Sequence, residues 1–139
     1  MRSKAPLVVM EQVIMLLVFA LAAALCLRGF AWADSTSQYN QNCDFAMVQA
    51  QNAAEMIKWA RGDFSVAAQR MGGRVEETKW VIRYDEEWVQ TEAAEAFVLQ
   101  VSTEPTLPLM GAARVAVSGN GEPLAELRVC WQEVVTDER

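Results

Sequence analysis

The chain of 139 residues contains no histidine and only three cysteines, Cys26, Cys43 and Cys130. Without histidine, the Ser–His and Cys–His nucleophile pairs and the usual zinc and haem ligand sets are excluded. The sequence also lacks a glycine-rich phosphate loop, a Cys-x-x-Cys pair and an activated-serine elbow. We therefore expect no catalytic residue, no metal and no cofactor, and a protein that is not an enzyme.

Clusters of basic residues are missing as well, and the net charge is −6. Residues 1–33 carry three basic and one acidic side chain, net +2, whereas residues 34–139 carry nine and seventeen, net −8. Nucleic acids bind to clustered Lys and Arg, so no nucleic-acid partner is expected. The acidic run Asp85-Glu86-Glu87 lacks the spacing of a calcium loop and predicts a solvated turn.

Proline is absent between Pro6 and Pro105, and this stretch contains a long apolar run. From Leu7 to Leu27 the run has twenty-one residues, and roughly 20 are needed to cross the hydrocarbon of a bilayer. The sequence predicts a transmembrane helix over residues 7–33 with Glu11 inside it. In an alternative register the span covers residues 13–33 and Glu11 is interfacial.

The charges that flank this run predict its orientation. Arg2 and Lys4 precede it without an accompanying acid, so the positive-inside rule places the N-terminus in the cytoplasm. The expected organisation is a basic leader at 1–6, the span at 7–33 and an extracytoplasmic domain at 34–139, in the cell membrane and in contact with lipid. Alternatively, Ala31-Trp32-Ala33 before Asp34 fits a signal-peptide cleavage site, which would release a soluble domain.

Without proline, the helix could continue from the membrane into the following domain. Alternatively, it breaks at Asp34-Ser-Thr-Ser37, whose side chains compete for backbone hydrogen bonds, and a second helix covers residues 38–61. It has two apolar faces. One is a stripe of small residues, Ala46, Ala50, Ala53, Ile57 and Ala60; the other is a second stripe formed by Phe45, Val48, Met56 and Trp59. A short helix at 64–71 could cover the second stripe, or the stripe could contact another chain.

After Gly72-Gly73 the apolar period changes to two, which is typical of half-buried antiparallel strands. Four strands are predicted, near 78–84, 96–102, 112–118 and 124–133. Asn120-Gly121 predicts a tight hairpin between the last two, and residues 103–110 an exposed loop. The fold class is therefore α+β, with a long N-terminal helix packed on a four-stranded antiparallel sheet. A Cys43–Cys130 disulfide could form outside the cell, but the alternation directs Cys130 away from the helix and argues against it.

The chain combines a basic leader, an apolar helix with an acid near its start, an amphipathic continuation and a small antiparallel sheet. In this order of elements it resembles the type IV pilin and type II secretion pseudopilin family. The motif-level likeness is confined to Leu7-Val-Val-Met-Glu11. It implies that Leu7 is the first mature residue and that Glu11 neutralises the N-terminal amine of a neighbouring subunit. Pro6 stands where the family has glycine, Leu7 where it has phenylalanine, and the family's helix-kinking proline is missing.

The resemblance implies a non-enzymatic, pilin-like minor subunit of a type IV pilus or type II secretion-like assembly, whose partners are pilin-like or secretion-system subunits bound through the N-terminal helix. Glu11 and Leu7 would then be the assembly residues, with the second stripe as a further partner contact. Two alternatives stay open: a single-pass anchored domain that binds a protein partner, with Glu11 merely interfacial, and a secreted domain that begins after Ala33.

Overall fold

The computed structural model describes residues 5–92 and 95–133, so Arg2 and Lys4 of the predicted leader lie outside the described residues. The elements in chain order are α1 (Ala5–Trp59), α2 (Phe64–Met71), β1 (Arg74–Glu76), β2 (Lys79–Tyr84), β3 (Phe97–Glu104), β4 (Met110–Gly119) and β5 (Glu122–Gln132). The fold is α+β, as predicted. The chain divides into two compact units, Met1–Asn40 and Gln41–Arg139.

Helix α1 has 55 residues and runs through residues 34–37 without interruption, so the continuous helix is confirmed and the alternative, a break at these residues, is wrong. The polar side chains in this region make bonds within the helix instead of replacing its backbone bonds. The Thr36 hydroxyl donates to the Trp32 carbonyl at 2.9 Å, and the Gln38 amide donates to the Asp34 carboxylate at 3.1 Å. Both pairs are four residues apart, the spacing at which helical side chains meet.

The small-residue stripe of α1 faces the core of the second unit, as predicted. Ala46, Ala50, Ala53 and Ile57 are fully buried, and Ala60, just beyond the end of the helix, is partly buried against the same cluster. The small side chains of the stripe leave room for the larger core residues of the sheet, such as Trp80, Tyr84 and Leu99, which belong to the same cluster.

A tight reversal at Arg61 (φ 51°) and Gly62 (φ 84°) separates α1 from α2. The Asp63 carboxylate then caps α2 by accepting hydrogen bonds from the backbone N–H groups of Ser65 and Val66, at 2.9 and 3.2 Å. The hydrogen bond from the Ser65 hydroxyl, followed by that from Val66, holds the pKa of Asp63 below its ordinary value. Because the chain reverses at Arg61 and Gly62, helix α1 ends at Trp59, two residues earlier than predicted.

The sheet is an antiparallel meander of five strands in the order β1-β2-β3-β4-β5. The predicted number of strands, four, omitted β1. This strand has only three residues and all of them are exposed, so it carries no alternating pattern. It pairs with β2, with Val75 opposite Trp80.

The alternation predicted for the longer strands is confirmed by their burial. Trp80, Ile82 and Tyr84 on β2 point into the core, and so do the alternate residues of the next three strands, Phe97, Leu99, Val101, Ala113, Val115, Val117, Ala125 and Val129. The β4–β5 hairpin turns at Asn120 (φ 51°) and Gly121 (φ 81°), the left-handed conformations that a two-residue type I′ turn requires. All three cysteines are free, and Cys130 is exposed.

Candidate functional site

The apolar part of α1 is the first candidate site. It is long and apolar enough to cross a membrane, with a mean hydropathy of 2.5 over its most apolar window, and none of that window is buried within the protein. Every residue from Pro6 to Gln41 is exposed. A core helix of a soluble domain would bury such a face, so the exposure is compatible with a membrane anchor.

Glu11 lies on this exposed surface among apolar side chains. It shares a shallow concavity with Leu7, Met10, Ile14 and Met15, and Leu7 and Met15 lie four residues to either side of it, on the same helix face. Within residues 5–92 and 95–133, no ion pair involves Glu11. Its carboxylate is thus accessible to a cation from outside the chain, and its assembly role, like that of Leu7, stays a prediction.

The second stripe of α1 is the other predicted site, and it is only partly covered. Phe45 is 52% exposed and Trp59 is 55% exposed; Val48 is also exposed, whereas Met56 is half-buried. The Arg70 guanidinium of α2 lies 4.1 Å from the centroid of the Trp59 ring, a cation–π contact. Helix α2 therefore reaches one end of the stripe and leaves Val48 open.

An open groove adjoins the Trp59 end of the stripe. Its walls include Asn52, Met56, Trp59, Arg70 and Gln90. The Gln90 amide donates to the Met71 carbonyl at 2.8 Å and so ties the groove to the end of α2. Apolar side chains, Met56 and Trp59, line the groove together with polar residues and with one acid and one base, Glu55 and Arg70.

The other end of the stripe meets an aromatic cluster that the sequence pattern did not reveal. Trp88, in the turn after β2, stacks on Phe97 with ring centroids 4.1 Å apart and an interplanar angle of 9°. It also contacts Phe45 at 6.0 Å and Tyr84 at 5.7 Å. Its backbone has a positive φ of 61°, unusual for a bulky residue, so packing of the indole holds this turn in place.

The acidic turn before Trp88 is structural. The Asp85 carboxylate accepts hydrogen bonds from the N–H groups of Glu87 and Val89, both at 2.9 Å. Among the described residues, no group of three or more His, Cys, Asp or Glu could hold a metal ion.

Next to the turn, Tyr84 is 2% exposed, and its hydroxyl donates to the Gln49 side chain at 3.3 Å. Burial of the phenol raises the pKa of Tyr84 to about 12.

A row of charges crosses the outer face of the sheet from β3 to β5. The Glu104 carboxylate, whose side chain is 16% exposed, binds Arg114 at 2.6 Å and Arg128 at 2.8 Å. Arg114 also binds Glu126 at 2.8 Å. These ion pairs give this face of the sheet a polar, solvated surface.

The candidate sites predicted from the sequence lie in different units of the chain. Glu11 and Leu7 lie in the unit Met1–Asn40, and the second stripe lies in the unit Gln41–Arg139. Comparison of the chain with protein-family models, with curated proteins and with solved structures finds no match.

Proposed function

We propose that the protein is a non-enzymatic, single-pass membrane protein of the pilin-like or pseudopilin-like kind, a minor subunit of a type IV pilus or type II secretion-like assembly. One observation carries the proposal: the apolar run Leu7–Leu27 is a fully exposed helix that contains a single carboxylate, Glu11. Such a surface favours lipid or other apolar helices over water. The basic residues Arg2 and Lys4 support a cytoplasmic N-terminus.

The position of Glu11 is consistent with insertion and with a role in assembly. An acid at the centre of a membrane helix costs about 2.5–3.5 kcal/mol on insertion scales. Glu11 lies four residues after Leu7, or about 6 Å along the axis, so its cost is smaller and the helix still inserts. A cation from a neighbouring subunit, such as an N-terminal amine at Leu7, would offset the remaining cost and fix the stagger between the two helices.

A second candidate is a membrane-anchored domain that binds a protein partner through the second stripe. The half-exposed aromatic rings of Phe45 and Trp59 favour it, since aromatic side chains are enriched at protein interfaces. This candidate shares the membrane helix and differs in giving Glu11 no partner. The secreted form is less favoured, because α1 continues through Ala31–Asp34 without the break that would expose a cleavage site.

The mass of the intact protein, isolated from the cells that make it, distinguishes these candidates. A chain that begins at Leu7 is the expected result for a processed pilin-like subunit. A chain that begins at Met1 selects the anchored partner-binding domain, and one that begins at Asp34 selects the secreted domain. The membrane and soluble fractions should be measured separately, so that a small processed population is not missed.

A further inference from the structure

Strand β5 forms an open edge of the sheet. Within residues 5–92 and 95–133 it pairs with β4 on one side only, and it is the longest strand, with 11 residues. Natural sheets commonly protect such an edge with proline, bulges or charged side chains, because its free N–H and C=O groups can pair with another strand. Pro123 and a register shift lie at the start of β5, and no proline follows up to Gln132.

The hydrogen bonding beside β5 identifies the backbone groups that face outward. The N–H of Glu133 donates to the carbonyl of Leu109 at 3.0 Å, and the β4–β5 register continues this pair as Trp131 opposite Gly111 and Leu127 opposite Val115. Bonded and non-bonded pairs alternate along an antiparallel ladder. The odd-numbered residues of this stretch therefore bond to β4, and Glu126, Arg128, Cys130 and Gln132 direct their N–H and C=O groups to the open edge.

Two of these outward-bonding residues carry opposite charges. Glu126 and Arg128 are both exposed on the outer face of the sheet. When a strand pairs with an identical antiparallel strand about a two-fold axis, residues at equal distances before and after the axis lie opposite each other, and only the residue on the axis faces its own copy. Only an axis at Leu127 places Glu126 opposite Arg128, so the edge is self-complementary in that register.

We propose that β5 pairs with β5 of a second copy of this chain, antiparallel and about a two-fold axis at Leu127. Glu126 then faces the partner's Arg128, and Arg128 faces the partner's Glu126, each pair joined by two backbone hydrogen bonds. The charge row that runs from Glu104 through Arg114 to Glu126 continues into the second copy. The contact joins two five-stranded sheets into one.

The neighbouring registers are unfavourable for physical reasons. Moving the axis by one residue removes both Glu126–Arg128 pairs and places Arg128 opposite itself or Glu126 opposite itself. Like charges directly opposite each other destabilise a strand pair unless an opposite charge binds both, as Glu104 does for Arg114 and Arg128. Sliding one strand by a single residue breaks the match between outward-facing N–H and C=O groups. In the proposed register Leu127, which is half-buried at the edge, lies opposite the partner's Leu127 in a non-bonded pair, where side chains approach most closely.

Disulfide crosslinking of the full chain in detergent or lipid nanodiscs tests the register. In a background of Cys26→Ser, Cys43→Ser and Cys130→Ser, three single-cysteine variants are compared: Leu127→Cys, Glu126→Cys and Arg128→Cys. A cysteine on the axis has its counterpart within the roughly 4.4–6.8 Å between Cα atoms that a disulfide spans, whereas a cysteine one residue away does not.

The expected result is at least about fivefold more crosslinked dimer for Leu127→Cys than for the other two variants, since only that position satisfies disulfide geometry. Equal crosslinking at all three positions, dominance of Glu126→Cys or Arg128→Cys, or no crosslinking would overturn the proposal. Repeating the measurement with Glu11→Ala separates this contact from assembly through the membrane helix, since the β5 contact should be unaffected.

A second measurement does not depend on cysteine. The dimer fraction of the otherwise unchanged chain, measured by analytical ultracentrifugation in detergent, should fall severalfold with Arg128→Glu, because the edge then carries charges of one sign. Arg74→Glu changes an exposed arginine on the opposite edge strand and is the matched control. A dimer fraction that is unchanged by Arg128→Glu, or lowered equally by both substitutions, would contradict the proposal.

Discussion

Replacement of Trp59 by alanine tests whether the second stripe of α1 is a free surface or part of the core. Trp59 is 55% exposed, and its described ring contact is the Arg70 guanidinium at 4.1 Å. Truncating a fully buried Trp costs roughly 3–5 kcal/mol. Because less than half of Trp59 is buried, we expect Trp59→Ala to lower the free energy of unfolding by about 1.5–2 kcal/mol, which includes the ~0.5–1 kcal/mol of an exposed cation–π contact.

Trp80 provides the matched control on the same fold. Its side chain is fully buried, and its indole N–H donates to the Gly72 carbonyl at 2.9 Å. Trp80→Ala should therefore cost about 4 kcal/mol or more, since a large buried side chain is removed and the partly buried Gly72 carbonyl also loses its donor. The two variants remove the same side chain from the same protein, so their difference reports mainly burial, together with the hydrogen bond of Trp80 and the cation–π contact of Trp59.

Urea unfolding of the full chain in detergent, followed by circular dichroism, measures both losses. The slope with urea should be unchanged between variants, which shows that the same surface is exposed on unfolding. If Trp59→Ala costs 3 kcal/mol or more, or as much as Trp80→Ala, the stripe is part of the core and its assignment as a partner contact is refuted.

Two further predictions concern the core of the sheet. Gly111→Ala should lower the free energy of unfolding by about 1–3 kcal/mol, since a Cβ at this position would overlap the Trp131 ring. Gly29→Ala is the control: its Cβ would meet nothing within 4 Å, so the same urea transition should stay unchanged. Stability should also fall at high pH, because burial raises the pKa of Tyr84 to about 12 and the folded protein therefore favours the neutral phenol. The stabilisation from Tyr84 is complete below pH ~10. It is lost between pH ~10 and ~12, by roughly 2–3 kcal/mol. Tyr84→Phe should remove this part of the pH dependence in alkaline unfolding, and an unchanged dependence would show that Tyr84 does not cause it.

The elements that the sequence predicted correctly are those whose pattern is fixed by burial. The stripe from Ala46 to Ile57 has helical spacing because one face of α1 packs on the sheet, and β2 to β5 alternate because only one face of the sheet is covered. The Asn120-Gly121 turn is equally local, since both residues must adopt positive φ. Each of these signals lies within a few consecutive residues.

The differences from the sequence predictions have a local cause in the helix and tertiary causes in the rest of the fold. The polar residues 34–37 continue the helix because their side chains bond along it, although the same residues favour caps in isolation. Strand β1 is too short and too exposed to leave a pattern, and the role of Trp88 depends on Phe97 and Phe45, which are distant in sequence. For the same reason, sequence spacing could not tell how much of the second stripe α2 would cover.

Co-purification with and without the Glu11 carboxylate tests the central claim, assembly through the membrane helix, most directly. Three tagged proteins are isolated from membranes: wild type, Glu11→Ala and the control Asp44→Ala. The control removes an exposed acid of α1 outside the apolar run. The proteins bound to each are then quantified. Removing a charge from hydrocarbon leaves membrane insertion intact or improved, so Glu11→Ala should remain in the membrane fraction and lose its partner subunits, whereas Asp44→Ala keeps them. Equal recovery of partners by wild type and Glu11→Ala would contradict the account.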